Sequence, residues 1–222
     1  MILGVDTSLG TAVAVVESDG VVRAEATSAD ALAHAEVIGL LLEGVLADAA
    51  HGPIGATTVS EAVEITHVAA GMGPGPFTGL RVGIAAARAF ALGRGLPVIP
   101  VPSHDAAALA VLLADPHSVP GPFAVVTDAR RREYAYTVYD GVDDDGLPVR
   151  RAPATLAPRD AIDDVLAGLD VQRRDVSSIS AAMLALAAAR AVASGRTLAD
   201  GEPLYLRAPD VTLPAGPKKV GT

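Results

Sequence analysis

The stretch Gly71-Met-Gly-Pro-Gly-Pro-Phe-Thr-Gly-Leu-Arg-Val-Gly83 constrains the fold more than any other part of the chain. Before it stands Val63-Glu-Ile-Thr-His-Val-Ala-Ala70, rich in β-branched residues, and after it Ile84-Ala-Ala-Ala-Arg-Ala-Phe-Ala-Leu92, rich in helix formers. The pattern predicts strand, tight glycine-proline loop, helix. Glycines permit positive φ and close backbone approach, and prolines stiffen the turn. A loop at a helix N-terminus can present N–H groups to an anion. The spacing nonetheless excludes the known phosphate loops. No Gly-Lys pair exists for a G-x-x-x-x-G-K-[ST] loop. For G-x-G-x-x-G, the third position falls on Pro76 from Gly71 and on Thr78 from Gly73. The loop therefore reads as a rigid connector that aims a helix.

The residues around it supply the rest of a sheet. Ile2–Val5, Thr11–Val16 and Val21–Ala26 read as three strands of a meander, reversed at Asp6-Thr-Ser-Leu-Gly10 and Ser18-Asp-Gly20. A helix is predicted from Ala31 to Ala50, capped by Ser28 or Asp30. Placed at about 100° per residue, it shows two apolar faces. Ile38, Leu42, Val45 and Ala49 form one; Ala33, Val37, Leu40, Gly44 and Ala47 form the other. The helix after the glycine loop repeats this, with Leu80, Ile84, Ala87 and Ala91 opposite Val82, Ala85, Ala89 and Leu92. A surface helix needs one apolar stripe. The second stripe is covered either by the neighbouring helix or by a partner protein, because exposed apolar patches on stable monomers are usually small.

The second half resembles the first. Phe123–Thr127 reads as a strand, Asp128 as a turn, Glu133–Tyr139 as the return, and Asp140-Gly141 as the next reversal. Val149–Thr155 echoes Val22–Thr27, and a helix follows near Arg159–Leu169. We read this as an internal repeat of strand, Asp turn, two strands and helix. Between the halves, Leu96–Ser103 is a proline-punctuated strand and His104–Ala114 a helix capped by Ser103. Asp115–Pro122 is the densest Pro/Gly stretch in mid-chain. Ser180–Ser194 is an Ala/Leu helix ended by Gly195, and Leu204–Arg207 a short extended piece. Pro209–Thr222 has the composition of a tail.

Composition narrows the function. The 222 residues are half apolar but only 3% aromatic, so the core must be built from Ala, Val, Leu and Ile. Cysteine is absent, which removes disulfides, thiolate nucleophiles and Cys-based zinc sites. The net charge of −9 and the pI of about 4.9 disfavour direct nucleic-acid binding. The only basic cluster is Arg130-Arg-Arg132. Met1–Asp6 lacks the basic region and cleavage site of a signal peptide. Ala181–Ala193 is too short to cross a bilayer and is interrupted by Arg190. A cytoplasmic location is expected. No two of His34, His51, His67, His104 and His117 stand at i, i+4, so no metal site is expected. No G-x-S-x-G elbow occurs. Asp6 and Asp128, at matching places in the two halves, are the carboxylates most apt to face each other in acid/base or Mg²⁺ chemistry; each also suits a plain turn.

Four segments together resemble the TsaB family, bacterial tRNA threonylcarbamoyladenosine biosynthesis proteins. They are Ile2-Leu-Gly-Val-Asp-Thr-Ser8, Gly73-Pro-Gly-Pro-Phe-Thr-Gly-Leu-Arg-Val-Gly83, Thr127-Asp-Ala-Arg130 with Glu133-Tyr-Ala-Tyr136, and Pro203-Leu-Tyr-Leu-Arg207. The likeness covers nearly the whole chain, except 52–60 and 170–180. It departs at Pro76, where the family more often carries Ser. The resemblance implies an α/β actin-like/Hsp70-like fold of two duplicated ribonuclease-H-like domains, here 1–104 and 105–208, with 209–222 as a tail. It implies no catalysis by this chain. The partners it implies are a TsaD-like subunit, which carries the metal and modifies adenosine 37 of tRNA, and a TsaE-like ATPase. ATP and metal then belong to those subunits, tRNA is met indirectly, and a homodimer is expected when the chain is alone. The histidine pair of TsaD is missing, since Ile38 stands four residues after His34. This argues against a metallopeptidase. The adenosine loop of actin-like kinases is replaced after Asp128 by Arg130-Arg-Arg132. Docking through the first-domain helices is expected on Ala33, Val37, Leu40, Gly44, Leu80, Ile84 and Ala87. Gly73, Pro74, Gly75, Phe77, Thr78 and Gly79 form the structural loop. The alternative is an actin-like phosphotransferase using Asp6 and Asp128.

Overall fold

The computed structural model describes residues 1–30, 33–51, 63–115 and 120–207. The first sheet is built from β1 (Ile2–Asp6), β2 (Thr11–Val16), β3 (Val22–Ser28), β4 (His67–Gly71) and β5 (Val98–Val101), in the order β3-β2-β1-β4-β5. β1, β2 and β3 are antiparallel neighbours, and β4 and β5 continue the sheet parallel to β1. The second sheet contains β6 (Phe123–Asp128), β7 (Glu133–Val142), β8 (Pro148–Arg150), β9 (Thr155–Pro158) and β10 (Gln172–Asp175). Its order, β10-β6-β7-β8, repeats β4-β1-β2-β3 of the first sheet. In both, an antiparallel meander is followed by a strand parallel to the first. This is the mixed α/β architecture of the actin-like, ribonuclease-H-like fold, with five strands in each sheet.

β1 and β2 are buried along their whole length because helices cover both faces of the sheet. α1 (His34–Ala50) lies on β2 and β3, and α2 (Phe77–Arg94) on β4 and β1. The other face takes α5 (Ala181–Ser194), which also packs on α3 (Ser103–Leu113). α3 in turn meets β6, β7 and β8, so both sheets share one core through the α3–α5 pair. That explains the alanine content of α5: it is buried on nearly every side and approaches its neighbours closely through small residues, with Leu184 and Leu186 as its larger buried side chains. Its first turn crosses β1 so closely that a Cβ on Gly4 would sit 2.3 Å from the Ala181 carbonyl oxygen. Ser180 Oγ accepts the Met183 N–H at its start, and Gly195 ends it in the left-handed region. α4 (Ile162–Gly168) covers the outer side of the second sheet through Ile162 and Leu166.

Most predicted elements appear near their predicted places. α2 starts at Phe77, seven residues earlier than its apolar run predicts, and α1 begins at His34. The predicted strand 149–155 is split into β8 and β9. β10, Gln-Arg-Arg-Asp, was not foreseen. The tail 209–222 and the segment 52–60 lie outside the described residues.

Candidate functional site

The glycine-proline loop closes over the turn after β1. The added Cβ that an alanine would carry decides why glycine is required. At Gly71 it would lie 1.9 Å from Asp6 Oδ2, at Gly75 2.8 Å from Ser8 Cα, and at Gly83 2.1 Å from Thr7 Oγ1. Thr7 Oγ1 donates to the Gly79 carbonyl at 2.7 Å. Phe77 and Thr78 open α2, and Gly73-Pro74 is a cis peptide. The loop thus presses its backbone onto Asp6-Thr7-Ser8 and fixes the direction of α2.

Asp6 is consumed by this contact. It is 1% exposed. Oδ1 accepts the Ser8 N–H at 2.8 Å and the Ser8 hydroxyl at 2.5 Å, and Oδ2 accepts the Ser103 hydroxyl at 2.5 Å. Ser103 Oγ accepts the Gly73 N–H in turn. Burial raises the Asp6 pKa and these hydrogen bonds oppose the rise. Asp128 is placed differently. Its side chain is exposed and paired with Arg159 at 2.5 Å, a hydrogen bond that lowers its pKa. The expected pairing of Asp6 with Asp128 is therefore corrected: Asp128 lines the cleft described below, whereas Asp6 does not. Among the described residues no three His, Asp or Glu side chains converge in a way that could hold a metal.

Between the lobes lies a cleft of about 710 Å³. One wall is Leu9, His34, the loop 74–79 and Val82; the other is Thr127–Arg131 with Ala135 and Leu156. Tyr205, Leu206 and Arg207 complete it. This last segment straps the lobes together. Leu204 N–H donates to the Met72 carbonyl, Tyr205 stacks on Phe77 at 3.8 Å, and Arg207 pairs with Glu133. Arg81 stands over the Phe77 ring and donates to the Tyr205 hydroxyl. The sequence pattern marked Leu204–Arg207 as extended but gave no sign that it crosses between lobes.

The third feature is the outer surface of α1 and α2. α1 turns Ile38, Val45 and Ala49 inward. Leu40 is 70% exposed, Gly44 has open space around it, and Ala33 and Val37 are half-buried. For α2 the expected face is reversed. Leu80, Ile84 and Ala87 are 0%, 4% and 0% exposed and belong to the first-sheet core. The surface instead carries Ala85, Ala89 and Leu92, the last 85% exposed. Both faces are apolar in sequence. Gly79 and Gly83 decide between them, since only their side of the helix can approach Thr7 closely.

Comparison with known proteins places the chain. The family described as TsaD, tRNA N6-adenosine threonylcarbamoyltransferase, matches residues 19–150, more than half of the length. The chain belongs to this family, on its TsaB branch. An uncharacterized protein of Mycobacterium tuberculosis is 38% identical over 164 residues, covering 72% of this chain and 69% of that one. One from Mycobacterium leprae is 36% identical over 167 residues, 73% of this chain and 42% of that one. Among solved structures, YeaZ from Pseudomonas aeruginosa aligns with a TM-score of 0.68 at 20% identity, over 92% of this chain and 99% of YeaZ. An uncharacterized protein with similarity to peptidase YeaZ aligns with a TM-score of 0.67 at 22% identity, over 93% of this chain and 99% of that one. The TsaB-type fold is thus shared along nearly the whole chain. No helix among the described residues is long and apolar enough to cross a membrane.

Proposed function

We propose that this chain is a non-catalytic scaffold subunit of the machinery that makes N6-threonylcarbamoyladenosine at position 37 of tRNA. It holds a TsaD-like catalytic subunit, and a TsaE-like ATPase joins the pair. ATP and metal are bound by those subunits, tRNA is reached through them, and the complex works in the cytoplasm. The observation that carries this reading is the bare apolar surface on two neighbouring helices, marked by Leu40 and Leu92, the two most exposed large hydrophobic residues described. Small residues beside them, Gly44, Ala85 and Ala89, let a partner helix approach closely. The same surface supports a homodimer when no partner is present. The committed Asp6 supports the absence of phosphotransfer chemistry: its carboxyl is enclosed by Ser8 and Ser103.

Co-purification with a TsaD-like subunit tests the proposal. Leu40→Asp and Leu92→Asp leave the chain folded and abolish the complex, and Gly44→Glu does the same. Retained co-purification of all three refutes the surface. Ile84→Asp, placed in the core, lowers folding itself and serves as the contrast.

A further inference from the structure

The two helices of the bare surface divide the charges between them. Besides His34, the ionisable residues of α1 are Glu36, Glu43 and Asp48, with no lysine or arginine. An exposed helix gains stability from cations three or four residues from its acids. Those places after Glu36 and Glu43 hold Gly39, Leu40, Leu46 and Ala47. Glu36 suits the positive end of the helix, but Glu43 stands in its middle and Asp48 in its last turn, where the dipole favours cations. Glu36 and Glu43 are exposed, and neither makes a hydrogen bond or ion pair among the described residues. The stability of α1 therefore gives no account of Glu43.

The position of the pair is informative. Glu36 lies one turn before Leu40 and Glu43 one turn after it, so both share its side of the helix. Seven residues at 1.5 Å each set the two carboxylates about 10 Å apart along the axis. Leu40, 70% exposed, is thus an apolar knob between two uncompensated negative charges. The floor beside it is open, since a Cβ on Gly39 or Gly44 would meet nothing within 4 Å.

α2 is the reverse: its charges are Arg81, Arg88 and Arg94, with no acid. Each arginine is already engaged inside the chain. Arg81 donates to the Tyr205 hydroxyl at 3.2 Å, Arg88 to the Gly201 carbonyl at 2.7 Å, and Arg94 lies over the Phe90 ring. The charge left for a visitor on this surface is therefore negative. A second copy answers it poorly. Set against α1 of another copy, Glu36 and Glu43 meet their own equivalents with no cation on either helix. Set against α2 of another copy, they meet arginines held by residues 201–205.

We propose that Glu36 and Glu43 select what docks on α1: a partner helix that sets two cationic side chains two turns apart, on either side of an apolar patch that receives Leu40. This rests on the docking role proposed above and names its chemistry. The occupant is the TsaD-like subunit, through a helix of that pattern. The same two carboxylates weaken self-pairing through α1, so the chain on its own pairs less tightly than it joins its partner. Leu40 supplies contact area, and the glutamates supply steering and choice of partner.

Association kinetics of the full chain with the TsaD-like subunit, from about 0.05 to about 0.5 M NaCl, test this. The parent's association rate falls about tenfold as salt rises. The double variant Glu36→Gln/Glu43→Gln associates about tenfold more slowly at low salt and loses most of the salt dependence, while its dissociation rate stays within about twofold. Sedimentation shows it self-associating at lower concentration than the parent. Its thermal unfolding matches the parent's, since both positions are exposed and Gln and Glu are similar helix formers. Asp144→Asn/Asp164→Asn removes as much charge from exposed positions of the second lobe and leaves the association rate unchanged. If Leu40→Asp abolishes the complex but the double Gln variant keeps the parent's rate and salt dependence, the proposal is overturned and the docking role stands. If Leu40→Asp binds like the parent, the docking role fails and this proposal with it. Equal slowing by the second-lobe variant reduces the effect to net charge and also overturns it.

Discussion

The turns after β1 and β6 occupy the same place in their sheets and diverge in what they do. Each begins with an aspartate that accepts the N–H two residues on, Ser8 to Asp6 at 2.8 Å and Arg130 to Asp128 at 2.7 Å. The first is then sealed: the glycine loop lies on it, and Ser103 completes the coordination of its carboxyl. The second stays open, with its carboxylate in solvent beside Arg159 and its arginines at the cleft. One local motif thus serves as a packing key in the first lobe and as a display platform in the second. α3 joins them: Ser103 reaches Asp6, and His104 bonds Thr127, the residue before Asp128, at 3.0 Å.

The largest expected effect comes from forcing the sealed turn open. Gly71→Ala puts a methyl into the Asp6 carboxyl, and we expect destabilisation of about 3 kcal/mol or more, read by denaturant unfolding. A cost below about 1 kcal/mol would show that the loop yields and that glycine is not required for close approach.

Next is a direct contrast of the aspartates. Asp6→Ala leaves two buried serine hydroxyls without their acceptor and is expected to cost about 2–3 kcal/mol. Asp128→Ala removes an exposed pair worth about 1 kcal/mol or less. Equal costs would erase the distinction between the turns.

A pH-dependent effect sharpens the role of α3, whose first turn carries two buried titratable groups of opposite sign. Burial pushes Asp105 up to about 6, against the pull of Arg150 and Tyr139, and pushes His104 down to about 3. Between pH 4 and 6 the folded chain holds a proton on Asp105 that the unfolded chain releases, so this group loses stability as pH rises. In the same window the unfolded chain protonates His104 and the folded chain does not, so this group gains stability as pH rises. The two slopes oppose. Asp105→Asn removes one of them, and the variant's stability should then fall more steeply on acidification than the parent's, by about 1.4 kcal/mol per pH unit. Parallel pH profiles for the two proteins would contradict the assignment.

The strand–turn skeleton was legible in the sequence because its signals are local: Asp6, Gly10 and Gly20 mark the reversals, and β-branched runs mark the strands between them. The inward face of α2 was not, because the choice depends on Thr7, some seventy residues earlier, meeting Gly79 and Gly83. β10 escaped because Gln172-Arg-Arg-Asp175 has no apolar alternation; its place comes from pairing with β6. The early start of α2 was hidden by glycines that read as loop and are required by contact. For the site, Arg130-Arg-Arg132 stood out as the one basic cluster. Its left-handed backbone belongs to the β6–β7 hairpin, and its place with His34 and Tyr205 around one cleft arises only when the lobes come together.

Amide hydrogen exchange on the chain alone and mixed with a TsaD-like subunit tests the central claim most directly. The account predicts slowed exchange along α1 and α2, with the second sheet unchanged. Slowing confined to the second sheet, or none anywhere in a mixture that forms a complex, would contradict it.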